Sequence, residues 1–214
     1  CIFNIDNSYC NEMYDEKFGK KISVSILKKA DVFATNIKVE NFKTTFRLHS
    51  KNLCSKITTN LLGSHNVTNI LLSTALAIEL NVKIDNIIDA ITNLKPTPHR
   101  LEYIKSHIHI LDDSYNCSIS SATEAINVLK STLNKKMIVT PGIIEGGKDQ
   151  FELNFKLGKM CRNLDYVIIV GETNKKAILS GIKLQKHKCK IILCKSLNES
   201  KHYLWNKLSA FFSA

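Results

Sequence analysis

Apolar and polar residues alternate over Ile22-Ser23-Val24-Ser25-Ile26 and over Thr44-Thr45-Phe46-Arg47-Leu48. That period of two is the pattern of a half-buried strand. Ile57-Thr58-Thr59-Asn60-Leu61-Leu62 predicts a further strand, and the pattern changes after Gly63. From Asn66 to Leu80, and again from Lys83 to Leu94, apolar residues recur at helical spacing. The prolines of Lys95-Pro96-Thr97-Pro98 stop the second helix and stiffen a short linker, so a boundary is expected there, between residues 1–98 and 99–214. Beyond it, strands are expected at Ile104 to Leu111, Met137 to Thr140, Tyr166 to Val170 and Lys190 to Leu193, with helix-length segments between them. Ser120 to Leu129 reads as one of these helices, with Ser121 and Glu124 at capping-box spacing. The alternation predicts an α/β protein with a mostly parallel sheet in its second part.

Composition narrows the class. A chain of 214 residues with 44% hydrophobic content holds one large or two small domains with real cores. No apolar run reaches membrane-spanning length and no secretory leader is visible. The seven cysteines (1, 10, 54, 117, 161, 189, 194) form no Cys-x-x-Cys pair. An odd number without zinc spacing predicts free thiols in a reducing cytoplasm. The net charge of +11 would suit nucleic acid, but the lysines are scattered and only Arg47, Arg100 and Arg162 are arginines. A bias for lysine over arginine explains that better than a binding surface, so neither nucleic acid nor membrane is an expected partner.

Candidate chemistry gathers in two places. Ile108-His109-Ile110-Leu111 runs into Asp112-Asp113-Ser114-Tyr115-Asn116, and parallel α/β sheets bind ligands beyond the carboxyl ends of their strands. The competing structural reading is an Asx turn. Gly63-Ser64-His65-Asn66-Val67-Thr68-Asn69 opens the long helix, with Asn66 and Asn69 three apart on one face. Two primary amides there can read the donor and acceptor edge of a base such as adenine, or Ser64 or Asn66 can simply cap the helix. His107 and His109 alternate with isoleucines and are expected to face solvent or be satisfied by neighbours, not to bind metal. No metal ligand set is expected in this chain. Asn4, Asp6 and Asn7 form a further polar loop after Ile2-Phe3, and Gly171-Glu172-Thr173-Asn174 another. Thr140 to Gly147 reads as a mobile, glycine-containing edge of a substrate cleft.

Three landmarks, Gly63 to Asn69, His99-Arg100-Leu101-Glu102 and Asp112 to Asn116, stand in an order and spacing that resemble the Mur ligases, the ATP-dependent amino-acid ligases of peptidoglycan synthesis. The Asp-Asp-Ser-Tyr-Asn form resembles the branch that adds D-alanyl-D-alanine to a UDP-muramoyl-tripeptide. The resemblance covers about Phe3 to Val170. It implies the rear of a central ATP-binding α/β domain followed by a Rossmann-like C-terminal domain, from a monomeric enzyme of the cytoplasm. It further implies nucleotide contacts from His65, Asn66, Asn69, Arg100 and Asp113, and a catalytic centre including Arg100, Tyr115 and Asn116. ATP and magnesium are the implied cofactors, with UDP-muramoyl-peptide and D-alanyl-D-alanine as substrates. The chain contains no Gly-x-x-x-x-Gly-Lys-[Ser/Thr], so the family's phosphate loop and main magnesium ligands are expected upstream of Cys1. Cys117-Ser118-Ile119-Ser120-Ser121 departs from the family's Ala-Asn-Pro continuation, and Glu145-Gly146-Gly147 from its Glu-Leu-Gly. The tail from Trp205 to Ala214 does not resemble the family's ending, which predicts an altered or truncated last helix.

Overall fold

The computed structural model describes residues 1–51 and 53–212, with side chains as far as Asn206. Two compact units divide the chain, Cys1–Ser114 and Tyr115–Ala214.

The first unit is built on β1 (Ile2–Asn4), β2 (Ile22–Ser25), β3 (Val32–Glu40), β4 (Lys43–Ser50) and β5 (Leu53–Thr59), which form one sheet in that order. The strands β1, β2 and β3 run parallel, while β4 and β5 follow as antiparallel hairpin partners. Helix α1 (Ser8–Glu16) links β1 to β2, and α2 (Ser64–Glu79) and α3 (Ile84–Asn93) follow the sheet. Val67, Ile70, Leu71, Thr74 and Ala75 are the buried residues of α2, an i, i+3, i+4, i+7, i+8 stripe. That stripe packs with Val24, Phe46, Leu48 and Ile57 of the sheet and Ile87 and Ile91 of α3 in one apolar core. Two further strands, β6 (Glu102–Lys105) and β7 (His109–Asp112), make a separate antiparallel hairpin.

The second unit is a three-stranded parallel sheet in the order β10 (Lys190–Cys194), β9 (Tyr166–Val170), β8 (Met137–Thr140). Its helices are α4 (Ile119–Lys130), α5 (Gln150–Cys161), α6 (Lys175–Lys183) and α7 (Leu197–Phe212). Val167, Ile169, Leu157, Ile178 and Ile182 lie at the centre of its core. Helices α5 and α6 approach closely at Gly158 and Gly181. A β-carbon at Gly158 would fall 2.2 Å from the Ile178 carbonyl oxygen, and one at Gly181 2.1 Å from that of Phe155.

The α/β class and the parallel second sheet match the sequence pattern, and four details differ. Ile104 to Leu111 is a hairpin rather than one strand: Ser106 N–H donates to Ile108 O across the turn at 3.2 Å, and Tyr103 pairs with Leu111 and Ile104 with Ile110. Alternation survives the reversal, because opposed residues point to the same face, and no Gly or Pro marks the turn. The hairpin falls within the first unit, so compactness divides the chain after Ser114, not after Pro98. Helix α4 is capped by Ser118, whose hydroxyl accepts from Ser121 N–H at 3.1 Å while the Ser121 hydroxyl takes the Ser118 N–H at 3.1 Å. Ser121 is thus the third helical residue of the box and not its first member. Strand β3 escapes the alternation because its register shifts between Thr35 and Lys38, with Asn36 at φ 55°. The last helix runs to Phe212; Ser213 and Ala214 lie outside the described residues.

Candidate functional site

The chain enters α2 through Gly63, at φ 90° and ψ 156°. A β-carbon is strained in that conformation, so glycine is required there. No side chain caps the helix at Gly63. Asn66 reaches back instead, its Nδ2 donating to Leu62 O at 2.8 Å. Asn66 is therefore not a helix cap: it fastens the loop and stands half-buried on the helix's first turn. His65 is exposed on that turn, and Asn69 is exposed on the next. Unpaired backbone N–H groups and the helix dipole add a partial positive charge at this end.

Arg100 lies in the turn that joins α3 to β6. Its N–H donates to Thr97 O at 3.1 Å. Its two neighbours are both left-handed, His99 at φ 63° and Leu101 at φ 48°. Leu101 is buried, and its N–H donates to Asp113 Oδ1 at 3.1 Å. On the other side His99 N–H donates to Glu102 Oε2 at 3.1 Å, and the His99 ring Nδ1 lies 2.8 Å from Asp112 Oδ2. The second Asp112 oxygen accepts from Ser114 N–H at 3.1 Å. The structure thus brings Asp113 to the turn that carries Arg100, and shows the carboxylates at the end of β7 engaged in shaping it.

The hydrogen bond and charge of Asp112 raise the His99 pKa above its ordinary 6.5. For Asp112, burial pushes the carboxyl upward, but hydrogen bonds from Ser114 and His99 outweigh it and leave the group below its usual range. His99, Glu102 and Asp112 each offer one ligand atom, all within 4.8 Å of one another. Those atoms are occupied with one another and with the turn. Beside them, Tyr103 Oη and His109 Nδ1 are 2.6 Å apart, and Phe42 stacks on the Tyr103 ring at 4.0 Å with 4° between planes. His107 stands in the hairpin turn, so the two histidines do not share a strand.

Tyr115 and Asn116 are exposed at the start of the second unit. The strand before them belongs to a two-stranded antiparallel hairpin, so the strand-end rule for parallel sheets does not by itself make Asp112 to Asn116 a ligand site. Asn4, Asp6 and Asn7 also have structural partners: Asp6 accepts from Ser25 Oγ and Ile26 N–H, and Asn7 caps α1. The loop after β8 is pinned rather than loose. Asn154, wholly buried, accepts from Ile143 N–H at 2.8 Å and donates to Ile143 O at 2.9 Å. Asn174 donates to Pro141 O at 3.0 Å and Ile143 O at 3.1 Å. Sequence reading missed Asn154 and the His99–Asp112 pair and placed Asn174 only in a polar loop, since partners eleven to 33 residues apart leave no local signal.

Residues 1–77 match the Mur ligase middle domain. The UDP-N-acetylmuramoyl-tripeptide–D-alanyl-D-alanine ligase of Buchnera aphidicola subsp. Baizongia pistaciae is 28% identical over 187 residues, covering 85% of this chain and 41% of that protein. The Escherichia coli K12 ligase of the same name is 31% identical over 147 residues, covering 67% and 32%. A crystal structure of MurF from Acinetobacter baumannii superposes with a TM-score of 0.83 at 26% identity, covering 98% of this chain and 46% of that one. MurF from Thermotoga maritima, solved in complex with ADP, shares the fold at a TM-score of 0.76 and 20% identity, covering 90% and 43%. The chain therefore spans about two fifths of the length of relatives it matches. Among the described residues no helix is long and apolar enough to cross a membrane.

Proposed function

From a chain related to the Mur ligases by sequence and by fold, we infer part of an ATP-dependent, ADP-forming, cytoplasmic ligase of peptidoglycan precursor synthesis. It adds D-alanyl-D-alanine to a UDP-muramoyl-tripeptide. The observation that carries this reading is the joint likeness to UDP-N-acetylmuramoyl-tripeptide–D-alanyl-D-alanine ligases in sequence and in fold, across nearly the whole chain.

The residues present fit the nucleoside end of ATP. Asn69 and the remaining capacity of Asn66 supply amides for the base edge, with His65 beside them on the first turn of α2. Arg100 clamps phosphate, for which its planar fork is suited, and Asp113 receives the ribose hydroxyls. Magnesium, when bound, would supply neutralising charge to the phosphates, and this chain's own residues are not assigned as its ligands. In the second unit Tyr115 and Asn116 stand at the acyl-phosphate and orient the incoming amine, whose attack on the activated carboxyl expels phosphate. The functional division at Pro98 then assigns 1–98 to nucleotide and 99–214 to amine substrate, with the protein working as a monomer.

The test is a nuclear magnetic resonance titration of the chain with adenosine and ATP. Adenosine is expected to shift resonances of the α2 first turn, and Asn69→Ala to weaken binding by about 1–3 kcal/mol for the lost amide. Asn69 is the better probe, because Asn66 also fastens the loop. Unchanged affinity in a folded Asn69→Ala chain refutes the base assignment.

A further inference from the structure

Arg100 is the one residue of its turn whose two neighbours both adopt left-handed backbone, and neither neighbour is glycine. Such conformations cost energy and persist only where the surroundings enforce them. The enforcing groups are visible and are successive residues of one strand end. Asp112 grips His99 through its ring at 2.8 Å, and Asp113 grips Leu101 through its backbone N–H at 3.1 Å. Glu102 holds the His99 N–H, and Thr97 O the Arg100 N–H, both at 3.1 Å. The backbone on each side of the guanidinium is therefore pinned by a carboxylate.

We propose that Asp112 is a positioning residue for Arg100, acting through the His99 ring to hold the turn in the form that presents the guanidinium to an anionic phosphate. The proposal rests on the reading of Arg100 as a nucleotide contact and adds the element that aims it. Freed of the Asp112 grip, His99 can leave the left-handed region, and the turn samples forms in which Arg100 points elsewhere. Apparent affinity falls in proportion to the fraction of chains in the competent form. The groups facing the His99 ring are Asp112 of β7 and Glu102 of β6, both carboxylates that favour the imidazolium. The grip is accordingly tightest while the ring is charged. It relaxes to a neutral hydrogen bond as pH rises through the raised His99 pKa.

The experiment titrates the chain with ATP and with adenosine by nuclear magnetic resonance, from below pH 6.5, the ordinary imidazole value, to mildly alkaline solution. Arg100→Ala and Asp112→Asn are expected to weaken ATP binding by a similar factor, about fivefold if the competent form falls to about a fifth of chains. Adenosine binding stays unchanged in both, which also reports an intact fold. His99→Ala behaves like Asp112→Asn. His99→Gln keeps a donor for Asp112 without titrating, so it restores ATP affinity and removes the decline that the parent chain shows with rising pH. If Arg100→Ala leaves ATP affinity unchanged, the nucleotide reading of Arg100 fails and the proposal falls with it. If Arg100→Ala weakens ATP binding while Asp112→Asn does not, Arg100 stands and the positioning role is overturned. Should Asp112→Asn fail to fold, the pH dependence decides: an identical decline in His99→Gln and the parent overturns the proposal.

Discussion

Replacing Asn154 by alanine removes the side chain that holds the loop after β8. Asn154 is fully buried, and its Oδ1 is the acceptor for the buried Ile143 N–H at 2.8 Å. Its Nδ2 donates to Ile143 O at 2.9 Å and to Gln150 O at 2.8 Å. The two carbonyls are protected, since Asn174 also donates to Ile143 O at 3.1 Å and Gln150 O lies in the first turn of α5. The loss therefore falls on one orphaned N–H, at about 1–3 kcal/mol. Alanine recovers up to about 0.7 kcal/mol of helix propensity, and the space left behind costs a further fraction. The net expectation is a loss of about 1–3 kcal/mol. Asn154→Asp sharpens the reasoning, because it keeps the acceptor for Ile143 N–H but turns a carboxylate toward two carbonyl oxygens. At neutral pH it should cost more than alanine, and acid should recover part of the difference as the carboxyl protonates and becomes a donor. Urea unfolding monitored on the second unit measures both, provided the slope with denaturant is unchanged. A loss below about 0.5 kcal/mol for alanine, or an aspartate variant no worse than alanine at neutral pH, refutes the argument.

Other expectations follow from packing and burial. Gly158→Ala drives a methyl to 2.2 Å from the Ile178 carbonyl oxygen, so α5 and α6 must separate, at about 1–3 kcal/mol or more; a loss below about 0.5 kcal/mol in urea unfolding contradicts it. Burial pushes the Cys161 thiol up to about 12 and raises Cys189 and Cys194 as well, so a disulfide reagent at neutral pH should modify the exposed Cys1 and Cys54 first. Cys161 should react only after denaturation. The folded state raises the His99 pKa and lowers that of Asp112. Their pair contributes stability between the ordinary values of 3.8 and 6.5. It fades as pH falls through the lowered Asp112 value or rises through the raised His99 value, a profile that pH-dependent melting of His99→Gln should flatten on the alkaline side.

The sequence made legible what periodicity encodes. The stripe Val67, Ile70, Leu71, Thr74, Ala75 marked α2, and Val167 to Ile169 marked the central strand of the second sheet, buried on both sides. Ile104 to Leu111 was misjudged because a hairpin with opposed residues preserves alternation through its turn. The strip Asp112 to Asn116 was legible as polar and unusual, but not in its local role, since pairing Asp112 with His99 and Asp113 with Leu101 depends on a turn of two left-handed non-glycine residues. Nothing in residue type at 99 or 101 announces that conformation. The pinning roles of Asn154 and Asn174 were invisible for the same reason: an amide in a helix or loop looks alike whether it faces water or pins a distant backbone.

The central claim is that this chain supplies part of a D-alanyl-D-alanine-adding ligase. Its most direct test replaces the aligned segment of the Escherichia coli ligase with this chain and measures ADP release with UDP-muramoyl-tripeptide, D-alanyl-D-alanine and magnesium. The account predicts ADP formation that depends on both substrates and falls sharply with Arg100→Ala, while the chain by itself, without a phosphate loop, releases none. A hybrid that folds and binds ATP yet forms no ADP with these substrates, or ADP release by the isolated chain, would contradict it.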